Sequence, residues 1–572
     1  MNSYSPTDSK SEAIATDLPP RHKIIVAVDY GTTYSGVCYV QSTAKSFKDV
    51  VCINSWLGST SNNKFDKAPT RIAYPKENKT TMITHPRTKL KLKLWGFQVK
   101  PKLISCSWTK LLDKNARPQE YDDVHSTEID QGMMHLPPSL TANCWITLPA
   151  IWSEEAKYNT LSAAKSAGFG NRLMDEIHTI AEPEAAAIAT LKDLTTPDTL
   201  NAVQRGDNIL ICDAGGGTVD VTTYTVTSVV PRLEFEELCG GKCGSTFIDR
   251  HLHDLLSKRF GDTFKAIPYS MKGPGSRFMD AWELLKRDFG RDNKEHPRIF
   301  ELGQLNLKLP SSQYYESLEF NILLSHRDME TLFDLVKEQV NEAHERKQAK
   351  IHRIVLVGEL GSSRYLYNAL SDWCSSNGEI QILCSRDPIT AVMRGAAIRG
   401  LEGIAPRLKY ARRHYGFEIC RKFRNGIDDE TYAYIDDFSN EKYCTGRLMW
   451  CVDKGDEITE GELRSKSFAR VYTPGKEMTS VIRLYSCAAD SQPERIDNPR
   501  VEEINKILSV FPSDFNFGID CDSRYNPRLH KTVHQFHFQV QVIFGDRGSN
   551  LQFRTVVGGR VMSGTTIEFP EH

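Results

Sequence analysis

Asp29 closes an apolar, β-branched run and is followed by Gly31, Thr32, Thr33 and Tyr34 in VDYGTTYSGV. Asp213 closes another and is followed by Gly215, Gly216, Gly217 and Thr218 in DAGGGTVDV. Glycines let backbone N–H groups come close to an anion, threonines add donor hydroxyls, and aspartates hold a metal's water shell. A phosphate chain with its magnesium is the ligand this combination suits. One copy would be a weak sign, because a strand ending in Asp-x-Gly-x-Thr also makes a plain hairpin with an Asx turn. The two aspartates lie 184 positions apart, so the pattern reads as one device used twice, with room for a whole lobe between the copies. A third glycine turn, VGELGSSR, follows the run Ile354 to Val357 and opens a helix, which presents backbone N–H groups to an anion.

The elements that must position these turns are legible around them. TANCWITLPAIWSEEAKYNTLSAAKSAGFG reads as a strand, a proline bend and a helix beginning near Ser153, with Glu154 and Glu155 in its first turn and Gly168 as its stop. IAEPEAAAIATL places Pro183 at a helix start, where its missing N–H costs nothing, ahead of strong helix formers. RFMDAWELLKRDFG sets Phe278, Trp282, Leu285 and Phe289 on one helical face and Glu283, Lys286 and Arg287 on the other. A boundary falls in GLEGIAPRLKY, around residues 400 to 410, and beyond it the texture is that of strands. QFHFQVQVIF alternates strictly before GDRGSN and LQFRTVV, as in a half-exposed hairpin, and puts His534 and His537 on opposite faces, unable to share a metal.

The chain has 572 residues, long enough for two or more cores, with 40% hydrophobic and 25% charged residues, an ordinary globular balance. Its 72 basic and 73 acidic residues nearly cancel, so no charge footprint points to nucleic acid or to an anionic membrane. The 14 cysteines show neither zinc-ribbon spacing nor a disulfide framework, and the nearest pair, Cys239 and Cys243, has no companion ligand pair. The first 20 residues are polar, without the apolar stretch of a signal peptide, and read as a disordered tail. With no apolar run long enough to span a bilayer, the expected compartment is the cytosol, with nuclear access left open.

VDYGTTYSGV, DAGGGTVDV, AEPEAAAIA and VGELGSSR occur in the order found in the heat-shock protein 70 family, and the sequence resembles that family over about residues 24 to 400. WELLKR, YGFEI and KGDEI are similar to its divergent branch, that of heat-shock 70 kDa protein 12 and its fungal relatives. The resemblance implies an α/β fold: a two-lobed actin-like ATPase domain, a duplicated ribonuclease-H-like unit, over residues 21–404. Lobe I would take about 21–205 and 382–404, lobe II about 206–381, and a smaller β-rich C-terminal domain, divergent from a substrate-binding domain, 405–572. It implies ATP or ADP with Mg2+ as cofactors, and client polypeptides or co-chaperones as partners.

Position by position, the resemblance implies that Asp29 and Asp213 hold water-mediated magnesium, and that Gly31, Thr32, Thr33 and Tyr34 take the β and γ phosphates. Glu182 would couple the metal shell to the attacking water, and Thr218 would contact the γ phosphate beside Gly215, Gly216 and Gly217. Gly240 and Gly241 would cover the nucleotide from the second lobe. Glu283, Lys286 and Arg287 would bind ribose and adenine, Arg364 would stack on adenine, and Gly358, Gly361, Ser362 and Asp387 would complete the pocket. SWTKLL supplies Lys110 as the candidate catalytic lysine.

The sequence departs from the family pattern in several places. Glu359 stands where the family has a second glycine, and two extra residues follow before the serines; a carboxylate there repels a polyphosphate unless the longer turn carries it away. Lys157 replaces a family arginine near Pro149, and the leucine-rich interdomain linker, helical lid and co-chaperone tail are missing. An ATP-hydrolysing, chaperone-like switch and a nucleotide-binding scaffold with negligible hydrolysis both stay open. A small-molecule kinase on the same fold would need a base facing an acceptor pocket, and no such signature is present.

Overall fold

In the computed structural model, β1 (Lys23–Asp29) and β2 (Tyr34–Gln41) form an antiparallel hairpin around the first Asp-Gly turn. The structure describes residues 23–59, 64–78, 93–100, 103–107, 110, 141–150, 152, 154–172, 175–195, 202–215, 219–230, 233–240, 247–273, 276–279, 281–282, 299–302, 305, 307, 319–321, 336–345, 348–377, 380–459, 461–472, 478–511, 521–544 and 552–566. With β3 (Val51–Cys52), β4 (Ala68–Pro69), β5 (Thr141–Leu148) and β6 (Glu176–Ala181) the hairpin builds one sheet, in the order β3-β2-β1-β5-β6, with β4 added on β2. The β1–β5 and β5–β6 pairs are parallel.

A second sheet repeats this plan. It comprises β7 (Asn208–Ala214), β8 (Val219–Ser228), β9 (Glu234–Gly240), β10 (Arg353–Val357) and β11 (Gln381–Cys384), in the order β9-β8-β7-β10-β11. Its antiparallel β7–β8 hairpin surrounds the second Asp-Gly turn, and β10 and β11 join in parallel. In both sheets the central strand carries the conspicuous aspartate at or next to its last residue and is flanked by its own hairpin partner and a later parallel strand. The duplication read from Asp29 and Asp213 is therefore one of strand order as well as of sequence. Central strands buried on both faces need continuous apolar runs, and β7, NILICDA, is buried throughout.

Helices connect the sheets: α1 (Glu154–Ser166), α2 (Glu182–Leu194), α3 (Phe247–Lys265), α4 (Arg364–Ser376) and α5 (Ala391–Glu402). α2 begins with Pro183 in its first turn, as its sequence requires, and packs on α5. α2 lies against β7 and β8, and α5 against β1, β2 and β5, so one buried apolar cluster runs from Ile25 and Trp145 through Ala185–Ala189 to Ile211 and Phe235. Gly395 makes the helix crossing possible, since a Cβ there would lie 1.7 Å from the Ala185 carbonyl oxygen. Phe278 and Trp282 are buried with Leu252 and Phe264 of α3, on the apolar face the spacing predicts; Leu285 and Phe289 lie outside the described residues.

After α5 the chain runs along the edge of the second sheet. Arg407 N donates to Phe235 O and Glu237 N to Leu408 O, each at 2.9 Å. Arg412 reaches the buried Glu237 at 3.0 Å and Lys409 the buried Glu184 at 2.8 Å. The remainder is strands: β12 (Lys409–Tyr410), β13 (His414–Lys422), β14 (Ala433–Ile435), β15 (Lys442–Val452), β16 (Glu457–Ile458), β17 (Leu463–Tyr472), β18 (Met478–Cys487), β19 (Val501–Phe511), β20 (Cys521–Asn526), β21 (Lys531–Ile543), β22 (Gln552–Val557) and β23 (Arg560–Thr566). They form one sheet in the order β14-β15-β13-β18-β19 and another in the order β17-β21-β22-β23, with β20 on β21 and β12 paired to β16.

The inner faces of these sheets share a core of Phe417, Phe511, Phe536 and Phe553. Alternation in QFHFQVQVIF buries Phe536, Phe538, Val540 and Val542, and the histidines part as expected: His534 bonds Ser523, His537 bonds Asp522. The described cysteines are free thiols, and no helix among the described residues is long and apolar enough to cross a membrane.

Candidate functional site

Asp29 is buried at the end of β1, where Thr147 Oγ1 of β5 donates to its Oδ1 at 3.1 Å and Lys67 Nζ lies 2.6 Å from its Oδ2. Burial would raise this carboxyl, but the charges of Lys67 and Lys110 outweigh it and hold Asp29 below its ordinary value. Asp213 is buried at the matching end of β7. There burial, then the charges of Glu182, Asp220 and Asp29, push its carboxyl well above the usual range, with Lys67 opposing. The two aspartates, on different sheets, thus feel each other's charge.

Glu182, the first residue of α2, and Lys110 form a buried ion pair, and the Lys110 ammonium also lies 5.8 Å over the Trp152 ring. Burial disfavours the Lys110 charge, yet Glu182, Asp29 and Asp220 restore it above the normal lysine value. Asp220, opposite Asp213 in the β7–β8 register, is pushed up to about 7 by burial and by Glu182, against Arg412 and Lys110. Its Oδ1 is buried without a hydrogen-bond partner among the described residues.

The third turn meets the first. Gly358 follows β10 with φ +84°, and a Cβ there would fall 2.4 Å from Asp213 Oδ1, so only glycine lets the turn lie against that carboxylate. Gly358 N donates to Pro388 O at 2.9 Å, and Ser362 Oγ to Glu359 O at 2.8 Å. The lengthened turn does not carry Glu359 away: its Oε2 accepts from Thr33 Oγ1 at 3.3 Å.

The structure therefore gathers Asp29, Thr33, Lys110, Glu182, Asp213 and Gly358 around one acidic bay. Gly31, the buried Thr32 and Tyr34 continue the first turn, and Gly215 begins the second. Gly361 is buried in the short 3-10 turn Leu360–Ser362, Arg364 is exposed at the start of α4, and Asp387 is 3.5 Å from Arg394. Gly240 ends β9. Gly216, Gly217, Thr218, Gly241, Glu283, Lys286 and Arg287 lie outside the described residues.

Sequence reasoning missed Lys67, Thr147 and Asp220. Thr147 had a signal, a hydroxyl residue within the apolar run WITL, and Asp220 another, a second carboxylate in DAGGGTVDV. Lys67 had none that spacing could supply, because β4 delivers it from a short irregular run.

Five carboxylates, Asp29, Glu182, Asp213, Asp220 and Glu359, here face two lysines, Lys67 and Lys110, with Arg412 beyond Asp220. A cluster of mostly buried carboxyls, one with a partnerless oxygen, suits an oxygen-loving divalent cation held through water, since a cation there would favour their ionised forms. Asp29 and Asp213 are the residues that would hold it.

Residues 135–401 match the family model described as Hsp70 protein, a span that includes Glu182 and Asp213 but not Asp29, Lys67 or Lys110. The chain is 23% identical to heat shock 70 kDa protein 12A of Mus musculus, across 85% of this chain and 87% of that protein. It is 22% identical to heat shock 70 kDa protein 12B of Homo sapiens, across 89% of this chain and 87% of that protein. The chaperone protein DnaK of Thermoplasma volcanium is 24% identical across 66% of this chain and 58% of that protein. The second of the duplicated sheets and its acidic turn thus lie within a stretch that matches the Hsp70 protein model, and over most of its length the chain is similar to heat shock 70 kDa proteins 12A and 12B.

Proposed function

We propose that this chain is an ATP-binding, slowly ATP-hydrolysing switch of the heat-shock-70 kind, working in the cytosol. In this reading the two matching sheets are the cores of two lobes, residues about 21–205 with 382–404 and about 206–381. They close on the nucleotide and so alter a β-rich C-terminal domain over 405–572 that meets client polypeptides or co-chaperones. One observation carries it: Asp29 and Asp213 stand at matching ends of corresponding strands of duplicated sheets, with the charges of the Glu182–Lys110 pair acting on both.

Each residue's work follows from its surroundings. The first turn offers N–H groups and the hydroxyls of Thr32 and Thr33 to phosphate oxygens, and residues 359–361 of the third turn offer further backbone N–H groups. Lys110, buried and fully charged, stabilises negative charge on a transferring phosphoryl group, and Glu182 beside it accepts from and orients a water. Magnesium, when bound, would supply positive charge against the phosphate oxygens.

The hydrogen bond from Thr33 to Glu359 favours a second reading, a scaffold that binds nucleotide with negligible hydrolysis, because it sets an anion at the phosphate turn. Single-turnover hydrolysis of ATP by the intact protein, Asp213→Asn and Lys110→Ala separates the two. A switch loses roughly a hundredfold or more in rate in each variant; equal rates in all three proteins establish the scaffold.

A further inference from the structure

Lys67 belongs to no motif of the sequence, yet it is built into the site. β4 pairs with β2 at Tyr34↔Pro69 and Ser35↔Ala68, Thr70 N donates to Thr33 O at 2.8 Å, and the Ser35 and Thr70 hydroxyls bond at 2.7 Å. This short strand is thereby fastened across the first turn, with Lys67 at its leading end. The lysine stem runs beside Gly36, where a Cβ would come 2.9 Å from Lys67 Cγ and 2.5 Å from Met393 Sδ. Only 14% of the side chain is exposed, and the ammonium ends 2.6 Å from Asp29 Oδ2. Burial works against its charge, but Asp29, Glu359 and Asp213 together hold the ammonium above the ordinary lysine value.

On the nucleotide reading given above, we infer that Lys67 is a resident cation of the phosphate site, sharing Asp29 with the divalent metal and permitting a polyphosphate to bind when metal is withheld. The argument is one of charge. Without Lys67, the carboxylates around it would be opposed by Lys110 and the more distant Arg412, and a bare polyphosphate would enter against a buried Asp29 that had lost its ion-pair partner and kept only the Thr147 hydroxyl and the Lys110 charge. With Lys67, one carboxylate is neutralised and an ammonium stands ready for a phosphate oxygen. The same ammonium must compete with a metal for Asp29, so Lys67 acts in opposite directions on the two ligands. It is a positioning residue for Asp29 and a binding residue for the anion.

The test uses the full chain as wild type, Lys67→Met and Lys67→Arg. ATP is titrated by calorimetry in EDTA and in excess Mg2+, and Mn2+ is titrated without nucleotide by electron paramagnetic resonance. Lys67→Met is expected to weaken ATP binding in EDTA by about tenfold or more and to tighten Mn2+ binding several-fold, whereas Lys67→Arg stays near wild type in EDTA. A variant that merely unfolds loses both ligands, so the opposite signs are the signature. The inference is overturned if Lys67→Met weakens Mn2+ binding, or shifts ATP binding equally with and without Mg2+. No ATP uptake by wild type in either buffer overturns the nucleotide reading itself, and this inference with it.

Discussion

Thr33 Oγ1 and Glu359 Oε2 hold each other across 3.3 Å, joining the turn after β1 to the turn after β10. A hydroxyl placed to serve a phosphate is thereby engaged by a carboxylate, and an incoming polyphosphate must displace it. Replacing Glu359 by Gln keeps the shape and removes the charge. ATP affinity is expected to rise about tenfold, since unit charges a few ångströms apart near a protein surface interact by some ~1–4 kcal/mol. Calorimetry checks this, and unchanged or weaker binding contradicts it.

Lys110 and Glu182 are each nearly inaccessible to solvent, so removing one leaves the other's charge stranded. Lys110→Met should cost about 3–5 kcal/mol of stability, and the double variant Lys110→Met, Glu182→Gln should recover most of it. Thermal melting of the three proteins decides the matter. A double variant no more stable than Lys110→Met would mean that the stability lay in packing instead of in the pair.

Gly358 and Gly455 both have positive φ, +84° and +91°, but a Cβ at Gly455 meets nothing within 4 Å while one at Gly358 strikes Asp213 Oδ1. Alanine at either costs about 1–3 kcal/mol in backbone strain. Only Gly358→Ala is expected to weaken ATP binding, by roughly tenfold or more, because it displaces Asp213. Comparing the two variants by melting and by calorimetry separates strain from site damage.

Asp428 lies in the C-terminal strand region, where its Oδ1 is 3.0 Å from Arg424 Nη2 and 2.7 Å from Arg447 Nη1. Hydrogen bonds from Arg424, its backbone N–H included, and from Arg447 hold this carboxyl well below the usual range. Because it ionises at lower pH folded than unfolded, its stabilisation is complete above the unfolded value of ~4 and fades as pH falls through the folded one. Asp428→Asn should therefore melt below wild type at neutral pH, with the gap narrowing as the pH falls below ~4. A gap independent of pH would show that charge is not its source.

Asp29 and Asp213 were legible because local chemistry fixes them, whereas Glu182 was singled out only through the family resemblance. A strand that ends in aspartate before a glycine turn, and a proline at a helix start, each carry their geometry in neighbouring residues. The duplication was legible for the same reason, and the matched strand orders give it spatial form. Lys67 was not, since its place depends on β4 pairing with β2 more than 30 residues earlier, a long-range register that spacing does not encode. The direction of Glu359 was likewise hidden, because it turns on how two loops from separate sheets meet. So was the docking of residues 407–412 on β9, which rests on main-chain bonds between segments far apart in the sequence.

That docked stretch bears on how the strands beyond residue 412 can move against the second sheet. Residues 407–412 are stitched to the second sheet by two main-chain bonds and the Arg412–Glu237 pair, and to α2 by the Lys409–Glu184 pair. A tether would let the trailing strands wander; a seam of this kind forbids small excursions and gives way, if at all, in one step. Dye pairs straddling the junction should report two discrete separations, with no continuum between them.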